Sequence, residues 1–165
     1  MNFTSSEQLS AVKRIVISYY HMPTKYVVVP LPASAYYRPR ARYRADGLIN
    51  YLSKLRGNYR FAVGLTSKDI STTKGSIPDY GIFGLGTLNN TGCVVSTFRL
   101  SKRASPALVI ERLQKVVLHE IGHNYGLAHC TSSEPCFMKD ALGKISTVDQ
   151  EPMNMCASCR KSARF

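Results

Sequence analysis

One segment of the chain reads His119-Glu120-Ile121-Gly122-His123-Asn124-Tyr125-Gly126-Leu127-Ala128-His129. In a helix, His119 and His123 are one turn apart, so both imidazoles leave the same face. Glu120 projects beside them, where its carboxylate can accept a proton from water without binding the metal. Gly126 ends the helix, because glycine enters the left-handed conformation without a steric penalty, and His129 can then turn back as a third ligand. Three nitrogens and an open fourth position predict a catalytic zinc site.

This spacing is more specific than a bare HExxH pattern. By composition alone, a bare pattern arises in about one chain per few hundred of this length, where it describes only an amphipathic helix with two exposed histidines. Gly126 and His129 at their offsets lower that chance by roughly a further three orders of magnitude. The full pattern therefore favours a catalytic zinc bound by three histidines, with Glu120 as general base.

The chain has five cysteines: Cys93, Cys130, Cys136, Cys156 and Cys159. The last four form two pairs separated by about twenty residues, the pattern of a four-thiolate structural zinc site. The alternative is two disulfides in a secreted protein, but the polar start of the chain lacks the basic and apolar regions of an export signal. Zinc is therefore favoured over disulfides, and the two motifs together predict two zinc ions. Cys93 opens an apolar run and is expected to be a small buried side chain.

These motifs resemble the archaemetzincins, the archaelysin family of metzincin-type metallopeptidases. The family signature is HExxHxxGxxHC, then C-x-M, seventeen residues and CxxC, which is matched here by His119, Glu120, His123, Gly126, His129, Cys130, Cys136, Met138, Cys156 and Cys159. Residues 35–40 and 94–100 also look like family segments. The resemblance implies that Met138 lies in a turn beneath the histidines, which agrees with the tendency of methionine to fill irregular gaps in a core.

The resemblance also implies a metzincin-like α/β (α+β) fold. Such a fold has a mixed twisted sheet, backing and active-site helices, and a small C-terminal subdomain stabilised by structural zinc. We expect one metallopeptidase domain over residues 1–165, with an upper subdomain at about 1–126 and a lower, zinc-bound subdomain at about 127–165.

The sequence departs from the family pattern at two points. Five residues, 131–135, separate the first two cysteines, where the family usually has four. The family fold also opens with a strand, whereas a helix-like segment starts here almost at Met1. Either the sheet is one strand smaller or that strand is missing from this sequence.

Hydrophobic spacing and turn chemistry predict the secondary structure. Helices are expected at about residues 6–21, 46–55, 106–126 with Ser105 as cap, and 151–160. Strands are expected at residues 25–31 and 59–65, and in a hairpin of residues 81–88 and 93–100. The polar residues 66–79 are expected to form a lid or a disordered loop. Glycines in the first hairpin strand indicate either a bend or an edge strand that binds extended peptide; they are Gly81, Gly84 and Gly86.

The formal net charge is +12. Such a charge can indicate nucleic-acid binding, an anionic surface or an adaptation for solubility. Its densest stretch, residues 38–44, interleaves Arg38, Arg40, Arg42 and Arg44 with tyrosine, as RNA-binding segments do. A related segment occurs in the peptidase family, so nucleic acid is disfavoured as a partner and steering of acidic peptides is preferred. No run approaches eighteen apolar residues, so we expect no membrane span and a cytoplasmic location.

We therefore predict a zinc-dependent peptidase that hydrolyses peptide bonds with a zinc-activated water and Glu120 as general base. Its partner is a peptide or protein substrate. The alternative is a zinc-stabilised, basic RNA- or peptide-binding module with a vestigial active site. The intact Glu120 argues against this alternative, because a site that only binds metal needs no base.

Overall fold

The computed structural model describes residues 5–163. Within this range the chain forms six α-helices and seven β-strands of a mixed α/β (α+β) fold. The helices are α1 (Ser6–Tyr20), α2 (Ala45–Leu55), α3 (Thr97–Leu100), α4 (Pro106–Asn124), α5 (Ile145–Gln150) and α6 (Ala157–Ser162). The strands are β1 (Tyr36–Tyr37), β2 (Arg42–Arg44), β3 (Ala62–Thr66), β4 (Ile70–Lys74), β5 (Ile77–Ile82), β6 (Gly84–Gly86) and β7 (Gly92–Ser96). The strand that opens the family fold would precede Ser5, outside the described residues.

The strands form two mixed sheets. The first has the order β1-β2-β4-β5, in which only the β2–β4 pair is parallel. The second has the order β3-β7-β6, with β3 parallel and β6 antiparallel to the central strand. This arrangement leaves β6 at an edge of its sheet, where its outer side is open to another chain.

Helices cover both faces of the central strand β7. Its side chains alternate between the two faces, as a strand requires. Cys93 and Val95 lie in the larger core with α1 and α4, whereas Val94 lies in a second core with α2. All three side chains are fully buried, so Cys93 is the buried residue that the sequence predicted.

Capping groups define the starts of α1 and α4; the cap at Ser105 was predicted, whereas the cap at Ser5 was not. The hydroxyl of Ser5 accepts a hydrogen bond from the Gln8 N–H, and that of Ser105 from the Leu108 N–H. Pro106 occupies the first turn of α4, where its missing N–H costs nothing. At the other end Gly126 has φ +88°, and its N–H donates to the carbonyl of residue 123 at 2.8 Å. This glycine ends the helix by a left-handed reversal.

The strand predicted at residues 25–31 is wrong. This segment is not a strand in the structure, and its residues 26–28 are exposed. Val29 packs instead against the core around α2. The β-branched side chains favour a strand only in a suitable sheet environment, and prolines at positions 30 and 32 have no N–H to contribute to a ladder.

The lid or disordered loop predicted at residues 66–79 is also wrong. The segment contains β4 and the first half of β5, which form an antiparallel hairpin with a turn at Gly75. The hairpin is anchored because Ile70 is fully buried and the Asp69 carboxylate accepts two hydrogen bonds from Arg99, at 2.7 and 3.0 Å. Burial and ion pairing outweigh the polar composition that suggested a loop.

The remaining strands are shorter than predicted or begin at other residues. β3 begins at Ala62, and the expected strand at 81–88 is divided between β5 and β6. The turn at 89–92 does connect the predicted hairpin, now β6 and β7. Residues 97–100 form α3 rather than strand, because the Ser96 hydroxyl caps a helix by accepting the Phe98 N–H at 3.1 Å.

The C-terminal part contains two short helices where the sequence predicted one. The predicted helix at 151–160 begins only at Ala157, and α5 was missed. Val148 of α5 and Phe137 join the same core as α1 and α4. The division into upper and lower subdomains stays a prediction. None of the described helices is long and apolar enough to cross a membrane.

Candidate active site and metal centres

Helix α4 presents His119 and His123 from adjacent turns, with their Nε2 atoms 3.0 Å apart. Backbone carbonyls hold the opposite ring nitrogens. The Nδ1 of His119 lies 2.6 Å from the Phe137 oxygen, and the Nδ1 of His123 lies 2.7 Å from the Leu127 oxygen. A carbonyl can only accept, so each Nδ1 donates its proton and each Nε2 keeps a free lone pair. Both lone pairs are therefore available to a metal ion.

The chain reversal after α4 returns His129 to the same place. The three candidate nitrogens all lie within 4.8 Å of one another. His129 is exposed, and its Nδ1 is 3.8 Å from the Asp140 carboxylate. Nitrogens around a tetrahedral zinc ion are about 3.3 Å apart for the usual zinc–nitrogen distance. The donor set and its spacing therefore fit zinc, and the structure brings together the three histidines that the sequence singled out.

Burial keeps the two helical histidines neutral. Burial, together with the neighbouring His123, lowers the pKa of His119 to about 3. The pKa of His123 is lowered as well, again mainly by burial. A histidine must be neutral to bind a metal, so these two side chains do not compete with protons near neutral pH.

Glu120 is buried beside the histidines. Its carboxylate accepts a hydrogen bond from the Gly86 N–H of β6, while burial raises its pKa to about 8. A Cβ atom on Gly86 would collide with the Glu120 backbone oxygen, and one on Gly84 would lie 2.6 Å from the Glu120 Oε1. The two glycines are therefore required by the close approach of β6 to α4.

These side chains line a cleft of about 550 Å³. One wall is the edge strand β6, and the other is the segment of residues 139–143. The β4–β5 hairpin reaches across one end, where the Lys74 ammonium is 3.9 Å from the Asp140 carboxylate. A separate hollow of about 370 Å³ beside Phe98 contains none of the histidines.

The other predicted cluster also assembles. Cys130, Cys136, Cys156 and Cys159 have sulfur atoms that all lie within 4.8 Å of one another, and all five cysteines of the chain are free thiols. The Sγ atoms of Cys130 and Cys156 are 3.6 Å apart, close to the roughly 3.8 Å expected around a tetrahedral zinc ion. The extra residue between the first two cysteines does not prevent this convergence. Hydrogen bonding, first from Ser158, lowers the pKa of Cys156 to about 6, which favours the thiolate that binds metal.

Met138 lies between the two clusters. It is fully buried, and its sulfur packs so closely on Gly122 of α4 that a Cβ there would collide with it. The Met138 carbonyl accepts the Cys130 N–H at 2.8 Å, and the preceding Phe137 carbonyl holds His119. This turn connects the cysteine cluster to the histidine cluster.

Sequence reasoning missed the backbone groups that orient the site. The carbonyls of Leu127 and Phe137 and the N–H of Gly86 carry no residue-type signal, so only the fold reveals them. The glycines of β6 were the one visible indication. Sequence reasoning also missed Glu151, which lines the cleft.

The basic stretch 38–44 is largely paired with carboxylates. Arg42 lies 3.2 Å from Asp69 and 3.5 Å from Asp79, and Arg44 lies 3.6 Å from Asp79. These pairs attach β2 to the β4–β5 hairpin. Arg42 and Arg44 therefore stabilise the sheet, a role that needs no nucleic acid.

Comparison with known proteins defines the class of this protein. The model of peptidase family M54 matches residues 1–164. An archaemetzincin of Haloquadratum walsbyi is 34% identical over 139 residues, which cover 79% of this chain and 76% of that protein. The family and its archaemetzincin members identify this chain as a zinc metallopeptidase, with a peptide or protein as its substrate.

More specifically, the chain belongs to peptidase family M54. Its fold is similar to the crystal structure of an archaemetzincin from Methanopyrus kandleri, with a TM-score of 0.85 and 29% identity over 98% of this chain and 87% of that one. It is also similar to an archaemetzincin from Archaeoglobus fulgidus complexed with malonate, with a TM-score of 0.78 and 27% identity over 96% and 94% of the two chains. The alternative of a binding module with a vestigial site is not favoured.

Proposed function

We propose that this enzyme hydrolyses peptide bonds at a zinc ion held by His119, His123 and His129, with Glu120 as general base. The observation that carries the proposal is the convergence of three imidazoles beside a buried carboxylate in one cleft. When bound, zinc lowers the pKa of water and polarises the scissile carbonyl as a Lewis acid. Glu120 takes the proton of the attacking water and passes it to the leaving amine.

The position of Glu120 suits that task. Burial raises its pKa to about 8, and the positive charge of a bound zinc ion would lower that pKa, so the carboxylate would be ionised and able to accept a proton. The Gly86 N–H holds the carboxylate in place, so its direction is set before substrate arrives. Substrate would lie extended along the outer side of β6 and add a strand to the sheet. Substrate binding there would explain why β6 is packed tightly on α4 while its outer edge has no neighbouring strand.

We propose a second, structural zinc ion at Cys130, Cys136, Cys156 and Cys159. The four sulfur atoms converge without a disulfide, and the segment after Gly126 has only short helices to stabilise it. Four thiolates and three imidazoles cannot share one tetrahedral ion. Met138 would support the catalytic histidines from below. The net charge of +12 would steer acidic peptides toward the enzyme.

The test is Glu120→Ala, measured by a peptide-library digest with mass-spectrometric detection and by zinc analysis of reduced protein. We expect no hydrolysis but two zinc ions per chain in both proteins, because the carboxylate is a base and not a ligand. Glu7→Ala, at an exposed position of helix α1 that does not line the cleft, is the matched control and should cleave like wild type. An undiminished rate in Glu120→Ala would remove this residue from the mechanism, and one zinc per chain would remove the second site.

A further inference from the structure

The cleft continues beyond the histidines toward the N-terminal half of α4. Lys115 and Val116 lie one turn before His119 and Glu120, about 6 Å along the helix axis. Val148 of α5 and the adjoining Glu151 complete this end of the cleft. We call the group of Lys115, Val116, Val148 and Glu151 the recess. A substrate side chain next to the scissile bond is long enough to reach it.

The walls of the recess are held firmly. The buried Lys115 ammonium lies 2.7 Å from the Glu111 carboxylate and donates to the Asp149 carbonyl at 3.1 Å. Its charge is therefore balanced and its direction set. The Asp149 carboxylate accepts two hydrogen bonds from Arg112 of α4, at 2.6 and 2.8 Å, and this pair attaches α5 to α4.

Glu151 is the residue of the recess that has a buried oxygen atom without a hydrogen-bond donor among the described residues. Its Oε1 atom is buried and accepts no hydrogen bond from any residue between 5 and 163. Burial raises its pKa to about 7, although Lys139 and Lys115 act in the opposite direction. A buried oxygen without a donor costs free energy that a ligand can recover by donating to it. Glu151 as a whole is only partly buried and lines the cleft, so its carboxylate can turn toward a substrate group that donates to it.

We infer that the recess selects a lysine or arginine side chain next to the scissile bond, with Glu151 accepting its terminal cation. The apolar side chains of Val116 and Val148 match the methylene stem of such a residue, which packs on apolar surface while its charge finds a partner. The inference rests on the proposed peptidase function. It is compatible with steering of acidic peptides by the positive net charge. Steering depends on the total charge of the peptide, whereas the recess binds only one of its side chains. Lys139 also lines the cleft, and its positive charge would favour an acidic substrate side chain instead.

The test uses peptides in which one position at a time is lysine, norleucine or glutamate. Norleucine retains the stem of lysine without its charge. For wild type we expect a lysine-to-norleucine ratio of kcat/KM of about 10 to 100 at one position beside the cleavage point, the size of a hydrogen bond to a charged group. Glu151→Gln should reduce that ratio at least several-fold. Glu7→Gln is the matched control and should keep the ratio.

Binding separates this inference from the proposed function. Zinc-loaded Glu120→Ala, titrated calorimetrically with the same peptides, should show the same lysine preference in Kd even if no peptide is cleaved. If wild type cleaves nothing, the proposed function fails while the Kd ratio still tests the recess. Equal Kd values for lysine and norleucine would overturn the inference. So would a preference for glutamate that Lys139→Gln removes, or a lysine preference that Glu151→Gln leaves unchanged.

Discussion

The approach of β6 to α4 makes Gly84→Ala a sharp perturbation of the site. The added Cβ would lie 2.6 Å from the Glu120 Oε1 and 2.9 Å from the Val116 Cγ1. An ordinary contact begins at 3.4 Å, so the shortfall toward the carboxylate is 3.4 − 2.6 = 0.8 Å. Both neighbours are side chains and can move. The substitution therefore displaces the carboxylate rather than preventing the fold.

The expected effect on activity is much larger than the effect on stability. Overpacking by one methyl group costs about 1–3 kcal/mol of unfolding free energy. A catalytic group displaced by about 1 Å lowers the rate by roughly 10²-fold. The three atoms nearest to the new methyl group belong to Glu120 and Val116 and not to a histidine, so zinc content should not change. We expect kcat to fall by about two orders of magnitude in a folded, zinc-loaded protein.

The measurements are kcat/KM on a cleaved peptide, zinc per chain and urea unfolding. Gly57→Ala is the control, because its φ of +59° makes alanine strained while no atom lies within 4 Å of the new Cβ. It should lose about 1 kcal/mol of stability and keep its activity. Wild-type kcat/KM in Gly84→Ala would refute the reasoning. A rate loss accompanied by zinc loss would place the defect at the histidines instead.

Two further predictions concern stability. Cys159→Ser should release one zinc ion, because a hydroxyl binds zinc poorly. Hydrogen exchange should become faster from Cys130 onward while β3 stays protected. The loss of unfolding free energy should be below the roughly 10 kcal/mol that zinc contributes to isolated zinc domains. Cys93→Ala should keep both ions, and a Cys159→Ser variant with both ions would return disulfides to consideration. Glu151 has a folded-state pKa raised from 4.5 to about 7 by burial, so its contribution is present below pH 4.5 and lost as pH rises through about 7. We therefore expect the difference in unfolding free energy between Glu151→Gln and wild type, measured in urea, to be more favourable to the variant at pH 8 than at pH 5. The expected change is about 1–2 kcal/mol, less than the full pKa shift implies, because Glu151 is partly exposed. A difference that does not change with pH would contradict the burial of the charge.

Local signals predicted the three longest helices well, α1, α2 and α4. Ser5 and Ser105 are capping residues, Pro106 suits a first turn, and Gly126 suits a reversal, so each boundary depends on residues within a few positions of it. The spacing also singled out two clusters of candidate metal ligands, and the structure brings the members of each together. The family resemblance added the class of fold, which the comparison structures confirm.

Strands were predicted less well because their stability is not local. Residues 25–31 have a stronger strand composition than residues 70–82, yet only the second segment forms strands. The difference lies in partners: β4 pairs with both β2 and β5, and Arg99 anchors its start through Asp69. No property of either segment alone contains that information.

Residue types and their spacing specify which residues can bind zinc, which carboxylate stands beside them, and where helix α4 begins and ends. Those properties follow from side-chain type and helical period, which are encoded within about twenty residues. The orientation of the site depends on tertiary packing. The carbonyls of Phe137 and Leu127 orient the imidazoles, and the Gly86 N–H orients Glu120. The packing of α5 leaves the Glu151 Oε1 atom without a donor among the described residues. Backbone groups are the same in every residue, so their position is known only when distant segments have packed together.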